Sequence, residues 1–563
     1  MTGSTEARGD KELIGELDKL YTALQQDRKP FESVWSEVTD MFYSKRNIYR
    51  PNNDTQDRKP THRYSSRAKR ALAIASRGFQ GYTADRRSDW LQLQFEDHTL
   101  MGMYGVQDWL EVSQRILLAH FSRSGFYEKL AEMIPDAMSM GTGAIYSEED
   151  VERHKIVFRC RHPRAIYISE NSFEEVKIVI DEEYMSYRSL KDRFGELLHN
   201  NMLEREKTTP FASTTILHIT MPFDGRFAKY ASGPRSKAMQ FISIWYDKDN
   251  SHIIDVGGYF EFPYAIWRYD KSDGEAYGYC PGFDVIDDVY MANQMSRTRI
   301  QLGNLIADPP MIVDEELEGS DFIVPGYHAY RTKKDSTMDP VALGANYPIA
   351  TDNEDRIEAA IDAHFNVPVY QMLQQLEARN KTATEVIEIA GERVAVLGPT
   401  VGQFELEALQ PLVRRSFNLL RRAGLIPPPP IAVMEAIQSG QTLKVEFLGR
   451  LSQIQRRYYK TDGLNQVFGY IAPIQQVNPE ALDNIDFDAL TRESLENAGA
   501  PASVVRELED VEKIRATREQ KQAELIQKQE LLSQEQMLAK NADKLGKRPE
   551  AGSPLENMGK MNG

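Results

Sequence analysis

The sequence predicts an α+β protein, mainly α, and three observations carry that expectation. Its 563 residues exceed what one simple core organises, while 41% hydrophobic and 27% charged residues is an ordinary globular mixture; about two to four subdomains with adequate cores follow. Apolar residues recur at three- and four-residue steps through several long runs, the spacing of one helix face. Between Ala144 and Trp267 that spacing gives way to short β-prone runs, which places a mixed subdomain in the first half of the chain.

In chain order, Leu13 to Met41 carries Leu17, Leu20, Leu24, Phe31, Val34, Trp35 and Val38 at helical intervals, interrupted by Arg28-Lys29-Pro30. Two N-terminal helices are expected, because proline removes a helix donor. Ser44 to His62, with Pro51 and Pro60, reads as loop. Ser65 to Thr83 reads as helix; Arg63, Arg67, Lys69, Arg70 and Arg77 around it suit either a phosphate contact or a solvated face paired with acids. Trp90 to Phe95 alternates as a strand, and Val106 to Phe121 and Phe126 to Met140 are helical. Gly141-Thr142-Gly143 lacks the following Lys-Ser or Lys-Thr of a phosphate loop, so it reads as a helix-to-strand turn.

The β-prone runs are Ala144 to Tyr146, Ile156 to Cys160, Ala165 to Ile168, Val176 to Asp181, Ile216 to Met221, Phe241 to Tyr246 and Tyr264 to Trp267, with one helix near Ser189 to Phe194. Phe283 to Ala307 then predicts a single helix, stopped by Asp308-Pro309-Pro310 and apolar on more than one side, as a helix with neighbours on two sides would be. Short strands and turns fill Met311 to Pro348. Thr351 to Phe365 is helical again, and Asn366-Val367-Pro368 breaks it.

Thr384 and Glu385 suit a helix N-terminus, and Gly398-Pro399 punctuates the run that they open. From Val401 through Leu420 one broad face is apolar, with Arg414, Arg415, Arg421 and Arg422 towards the C-terminal end and Gly424 and Pro427 to Pro430 stopping it. This is a helix of about 25 residues, roughly 37 Å long. Leu443 to Phe447 alternates as a strand, Arg450 to Ile471 is an amphipathic helix, and Val504 to Ala539 is a helix rich in Gln, Glu and Lys. Asn541 to Gly563 has the composition of a disordered tail.

Composition narrows the function. A formal charge of −16 argues against a protein that coats nucleic acid, yet suits one that surrounds DNA without gripping it. No stretch approaches 18 uncharged apolar residues and the first residues lack a signal-peptide block, so synthesis in the cytoplasm and no membrane are expected. Cys160 and Cys280 allow no disulfide framework or zinc spacing, and His154, His162, His218 and His252 have no ligand spacing. Asp483, Asp486 and Asp488, without a basic partner in sequence, read as a turn and helix cap. No nucleophile with its base, paired carboxylates or phosphate loop stands out, so neither a catalytic residue nor a metal or cofactor is expected.

The string Thr382-Ala383-Thr384-Glu385-Val386, then Leu397-Gly398-Pro399, then Leu425-Ile426-Pro427-Pro428-Pro429, resembles the portal (head-to-tail connecting) proteins of short-tailed double-stranded DNA phages, the podovirus type. Ser124-Gly125-Phe126-Tyr127, Gly141-Thr142-Gly143, Pro263 to Arg268 with Tyr277-Gly278, and Asn497 to Pro501 belong to the same likeness, which spans roughly residues 10 to 520. Gly499-Ala500-Pro501 departs from it, since a bulkier middle residue is expected there.

The resemblance implies a portal-type fold assembled as a ring. Residues 1–282 would be an N-terminal wing, 283–307 a first stem helix, 308–350 a clip, 351–366 a second stem helix, 367–381 a tunnel loop, 382–498 the long wing helix and return to the wing, 499–545 crown helices and 546–563 a disordered tail. It further implies a dodecamer at one capsid vertex of the virion, through which double-stranded DNA is packaged and ejected. Terminase, tail adaptor proteins, and capsid and scaffolding proteins would be its partners. In that scheme Gln371, Gln374, Gln375, Arg379, Asn380 and Lys381 face DNA, although the same segment suits a plain surface connector. Arg331, Lys333 and Lys334 of the clip would face DNA, a packaging motor or a tail adaptor. Two alternatives stay open: a DNA-processing factor such as a terminase-associated nuclease or ATPase subunit, and a helical scaffolding protein.

Overall fold

The computed structural model describes residues 10–43, 63–101, 103–150, 155–224, 239–307, 311–313, 338–340, 347–378, 395–438, 443–450, 486–489, 491 and 508–545. The chain divides into two compact units, Met1–Tyr458 and Tyr459–Gly563.

The first unit opens with α1 (Lys11–Phe42), capped by Asp10, whose carboxylate accepts from the N–H groups of Glu12 and Leu13 at 3.0 and 3.2 Å. Two helices broken at Pro30 were expected; one continuous helix is found, with Pro30 inside it. A proline there costs about 3 kcal/mol, and burial on both sides offsets it. Before the proline, the buried Arg28 donates to the carbonyls of Arg164 and Ile166 and to Tyr167 Oη at 2.7, 3.2 and 2.7 Å. After it, the fully buried Trp35 donates through Nε1 to Met140 O at 2.9 Å.

Helices α2 (Arg67–Thr83), α3 (Val106–Arg123) and α4 (Phe126–Met140) follow, with β1 (Leu91–Phe95) before α3. The glycine turn has the expected role: Gly141 caps α4 at φ +80° and β2 (Thr142–Asp150) begins at the next residue. A side chain at Gly141 would drive its Cβ into the backbone of Gly278, so only glycine fits this crossing.

Two antiparallel sheets come next. The three-stranded one has the order β3-β2-β9, with β3 at Lys155–Arg161 and β9 at Tyr264–Arg268. The five-stranded one runs in sequence from β4 (Ile166–Glu170) through β5 (Val176–Ser186), β6 (Ser213–Pro222) and β7 (Phe241–Asp247) to β8 (His252–Tyr259). Period-two alternation sorts its side chains. Ile180, Leu217, Ile219, Ile244 and Tyr246 pack on Leu13, Leu17, Tyr21 and Leu24 of α1. Ile216, Trp245 and Ile254 pack on α5 (Tyr187–Phe194) and α6 (Asn200–Thr208) from the other side. The sheet is therefore covered by helices on both faces. A larger core joins α1, α2, α3, α4 and the three-stranded sheet around Trp35, Phe79, Trp90, Phe121 and Trp267.

Helix α7 (Ile286–Ala307) is preceded by a separate turn at Pro281–Asp284, so the expected helix from Phe283 begins three residues late. The short strands β10 (Met311–Val313) and β11 (Met338–Pro340) pair antiparallel, and α8 (Tyr347–His364) returns. Asn366, at φ +53°, leads into α9 (Val367–Ala378). The expected long helix of the second half is α10 (Gly398–Phe404) and α11 (Gln410–Arg422), joined without a break by a π-helical turn at Glu405–Leu409. After Gly424, at φ +71°, come α12 (Ile431–Gln438) and β12 (Leu443–Phe447), which pairs antiparallel with β1 from Leu91↔Phe447 to Phe95↔Leu443.

In the second unit, Asp486 Oδ1 accepts from the N–H groups of Asp488 and Ala489, both at 3.0 Å, as a cap. Asp488 does have a basic partner: both terminal nitrogens of Arg515 donate to it at 2.6 Å. Arg515 lies on α13 (Leu508–Leu545). The rest of the acidic group, the expected helix beyond Arg450 and the expected tail 546–563 lie outside the described residues.

Candidate functional site

Helices α7 and α8 form an antiparallel hairpin whose far end is closed by β10 and β11. Its inner seam is narrow. On α7 the buried residues are Val289, Ala292 and Ser296, spaced three and four apart. Opposite them lies Glu354 of α8, only 2% exposed, whose carboxylate accepts from Ser296 Oγ at 2.5 Å and pairs with Arg299 at 3.2 Å. A buried carboxylate without donors costs several kcal/mol, so these two contacts fix the register of the hairpin.

The outer side of α7 is partly apolar. At 100° per residue Tyr290, Met291 and Leu305 fall on the arc facing away from the buried stripe, with Met291 and Leu305 46% and 41% exposed, and Ile306 on the flank of the helix is 55% exposed. Ile300 is a further exposed apolar residue, and beyond Ser296 the helix has no buried residue. Of the neighbours expected on two sides, α8 packs along the helix and α1 touches it as well.

The base of the hairpin is anchored to the larger core. Arg67 pairs with Asp362 and, at 3.5 Å, with Glu358, both on α8. Arg63 donates to the carbonyls of Asp40 and Tyr43, so both it and Arg67 have structural partners. Phe42 meets Phe365 at 5.8 Å between ring centroids. Tyr370 of α9 lies so close over Gly78 of α2 that an added Cβ would collide with its ring.

The segment from Val367, expected as a loop, is helical as far as Ala378. Proline at the second position of a helix has no bond to lose, so after the expected break, which ends α8 at His364, Pro368 opens α9. Gln371 is exposed on α9, with Val367, Tyr370 and Leu373 buried beside it. Gln374 and Gln375 lie on the same helix. Arg379, Asn380 and Lys381 lie outside the described residues, as do Arg331, Lys333 and Lys334. The structure therefore brings three of the named glutamines onto one helix.

Sequence reading missed a second polar assembly. Arg268, at the end of β9 and 3% exposed, donates its backbone N–H and its Nε to Glu407 at 2.8 and 3.0 Å and pairs with Glu170 of β4. Glu407 sits in the π-helical turn. One extra residue in that turn swings the carboxylate onto the outer edge of β9, satisfying a strand-edge donor that would otherwise be bare. A proline at 411 and an acid four residues before it were the only signal in the sequence.

Among the described residues no His, Cys, Asp or Glu cluster is arranged for a metal ion. The four histidines of the β-region were expected to be structural; His162 Nδ1 accepts from Arg164 N–H, His218 is fully buried between Tyr264 and Ser243, and His252 bonds to Leu197 O, while His154 lies outside the described residues. Cys160 and Cys280 are unpaired with each other, and burial pushes the Cys280 thiol up. No helix among the described residues is long and apolar enough to cross a membrane.

Comparison with known proteins agrees with this architecture. The family model for bacteriophage head to tail connecting proteins matches residues 15–505. The portal protein of Salmonella phage epsilon15 is 26% identical over 523 residues, 91% of this chain and 92% of that one. A probable portal protein of Bordetella phage BPP-1 is 23% identical over 484 residues, 83% and 84% of the two chains. The family is structural, a component of the virion. This chain belongs to the bacteriophage head to tail connecting protein family and has the function of a phage portal protein.

Proposed function

We propose that copies of this chain close into a ring of twelve at one capsid vertex, with α7 and α8 as the staves of its bore. The observation that carries this reading is the hairpin: it buries one narrow stripe and turns Met291, Leu305 and Ile306 outward, the surface that a neighbouring stave would cover. Residues 1–282 and 382–498 form the wing, 308–350 the clip, 499–545 the crown, and 546–563 a disordered tail.

Double-stranded DNA passes through the bore during packaging and ejection, and terminase, tail adaptor, capsid and scaffolding proteins dock outside it. A ring of twelve carries about −192 formal charges, which repels a polyanion and lets it slide. Weak, salt-dependent contacts near the exposed Gln371, with Gln374, Gln375, Arg379, Asn380 and Lys381 in the same segment, hold DNA against backsliding; Arg331, Lys333 and Lys334 act at the clip.

Native mass measurement and electron microscopy test the reading. A twelve-fold ring of 64.3 kDa chains weighs about 770 kDa, and a compact monomer without a central hole at all concentrations would overturn it. Arg379→Ala with Lys381→Ala leaves rings intact while reducing retention of packaged DNA; failure of that variant to assemble would make the segment a structural joint.

A further inference from the structure

We propose that the groove between α11 and the β9 edge receives an acidic surface of a second copy of this chain. The inference rests on the ring reading above and adds one half of the joint. A ring built head to tail needs two different, complementary patches on every subunit, and the chemistry of one is visible in this groove.

The groove has a volume of about 1090 Å³ and runs along the polar face of α11. Arg414, Asn418 and Arg421 line it at four- and three-residue spacings on α11, so they share one side of the helix, and Glu407 lines it from the π turn. Its lining holds seven cations and four carboxylates. This is a surplus of positive charge on a chain whose formal charge is −16.

The pairing inside the groove locates that surplus. Arg422 and Arg415 share Glu261, at 2.5 and 3.7 Å. Arg268 is held by Glu407 and Glu170, Lys271 by Glu170 and Glu174, and Lys177 by Glu175 at 3.1 Å. Every carboxylate of the lining is thus taken. Arg414 and Arg421 are exposed and have no ion-pair partner among the described residues. They stand two helical turns apart, about 10.5 Å along the axis, ready for carboxylates from outside.

Two apolar side chains flank the cations. Leu406 is 62% exposed beside Glu407, and Phe173 is 80% exposed on the opposite rim. Phe173 is displayed by a rigid turn in which Asn171 Oδ1 accepts from the N–H groups of Phe173 and Glu175 at 2.9 and 3.0 Å and Glu174 takes φ +61°. An aromatic already fixed in place costs little ordering on contact, which is what an interface anchor needs. The two apolar anchors favour a polypeptide, which has apolar side chains to set against them, over a nucleic acid backbone. The β9 edge takes no added strand at Arg268, because Glu407 already occupies that N–H. The occupant therefore engages side chains, and an acidic patch is what a −16 chain offers its neighbour most readily.

Charge reversal tests the proposal. Arg414→Glu with Arg421→Glu is expected to leave the far-UV dichroism and melting of the subunit unchanged, and to raise the monomer fraction in native mass spectra at least tenfold at 0.1 M salt. A parallel variant, Arg414→Lys with Arg421→Lys, keeps the charge and supplies amines; a carbodiimide should then join residue 414 or 421 to an Asp or Glu of another subunit in assemblies mixed from isotope-labelled and unlabelled chains. Assembly of the reversed variant with undiminished yield, or cross-links confined to single chains, overturns the inference while leaving the ring reading intact. Unchanged assembly together with loss of DNA retention assigns the groove to phosphate instead and overturns it as well. If the natural chain itself forms no ring, the ring reading is what fails.

Discussion

The five-stranded sheet and the α7/α8 hairpin meet the same demand, to take apolar surface out of water, by opposite means. The sheet is covered within its own chain, by α1 on one face and α5 and α6 on the other, and its polar interior is bonded: Tyr264 Oη donates to Asp181 at 3.3 Å and lies 3.0 Å from His218, whose other nitrogen is 2.9 Å from Ser243 Oγ. The hairpin covers one stripe and leaves the rest exposed. The difference separates a region finished by folding from one finished by assembly. A substitution in the first should lower subunit stability, and one in the second should lower association with little effect on the subunit.

The largest effect is expected from Trp267→Ala. This ring is fully buried, stacked on Phe79 at 5.3 Å and edge-on to Phe404 at 4.7 Å, and losing it should cost about 3–5 kcal/mol of subunit stability in urea unfolding. A cost below about 1 kcal/mol would mean that the core does not depend on this cluster. Glu354→Ala comes next. It leaves Ser296 and Arg299 without their acceptor, so about 1–3 kcal/mol is expected, confined by hydrogen exchange to α7 and α8. Equal loss of protection in the β-strands would show that the two regions are not separate.

The third prediction concerns pH. Burial pushes the His218 ring well below its ordinary value, whereas burial pushes Asp181 up to about 7, against the pull of Arg161. His218 stays neutral in the fold, so its contribution falls as pH drops through the unfolded value near 6.5. Asp181 binds its proton more readily in the fold, so its contribution is complete below about 4 and is lost as pH rises towards 7. Between these limits the two oppose each other. Asp181→Asn should melt progressively lower from pH 6.5 to 4, while His218→Gln should melt higher over the same range. Parallel profiles for both variants and the natural chain would remove the argument. The smallest effect on the subunit is expected from Ile306→Ser, within about 0.5 kcal/mol, with weakened assembly as its readout; a stable ring at every concentration would place this face away from the joint.

Much of this division was legible in the sequence, because periodicity reports burial directly. The strands Leu91–Phe95 and Leu443–Phe447, the helix returning near residue 351 and the long helix ending at Arg422 were each announced by spacing or by glycine and proline punctuation. Proline was misread at Pro30, where anchors on both sides carry α1 through it; the break expected at Asn366 to Pro368 does end α8, but the same proline stands in the first turn of α9. Strand β8 was missed because Gly257 and Gly258 interrupt its pattern. Nothing local told that Glu407 would reach Arg268, since the contact spans 139 positions and depends on one extra residue in a helical turn. Gln371, expected in a loop, is exposed on a helix.

The pairing of Leu91–Phe95 with Leu443–Phe447, extended by Leu448 N–H donating to Trp90 O at 2.7 Å, ties the beginning of the first unit to its end. During synthesis at roughly 5–20 residues per second, the earlier strand waits on the order of 20–70 s for its partner to leave the ribosome. The closing clasp of the first unit is therefore also a timer: residues 286–364, which form the hairpin, leave the ribosome before the strand that closes the body carrying it.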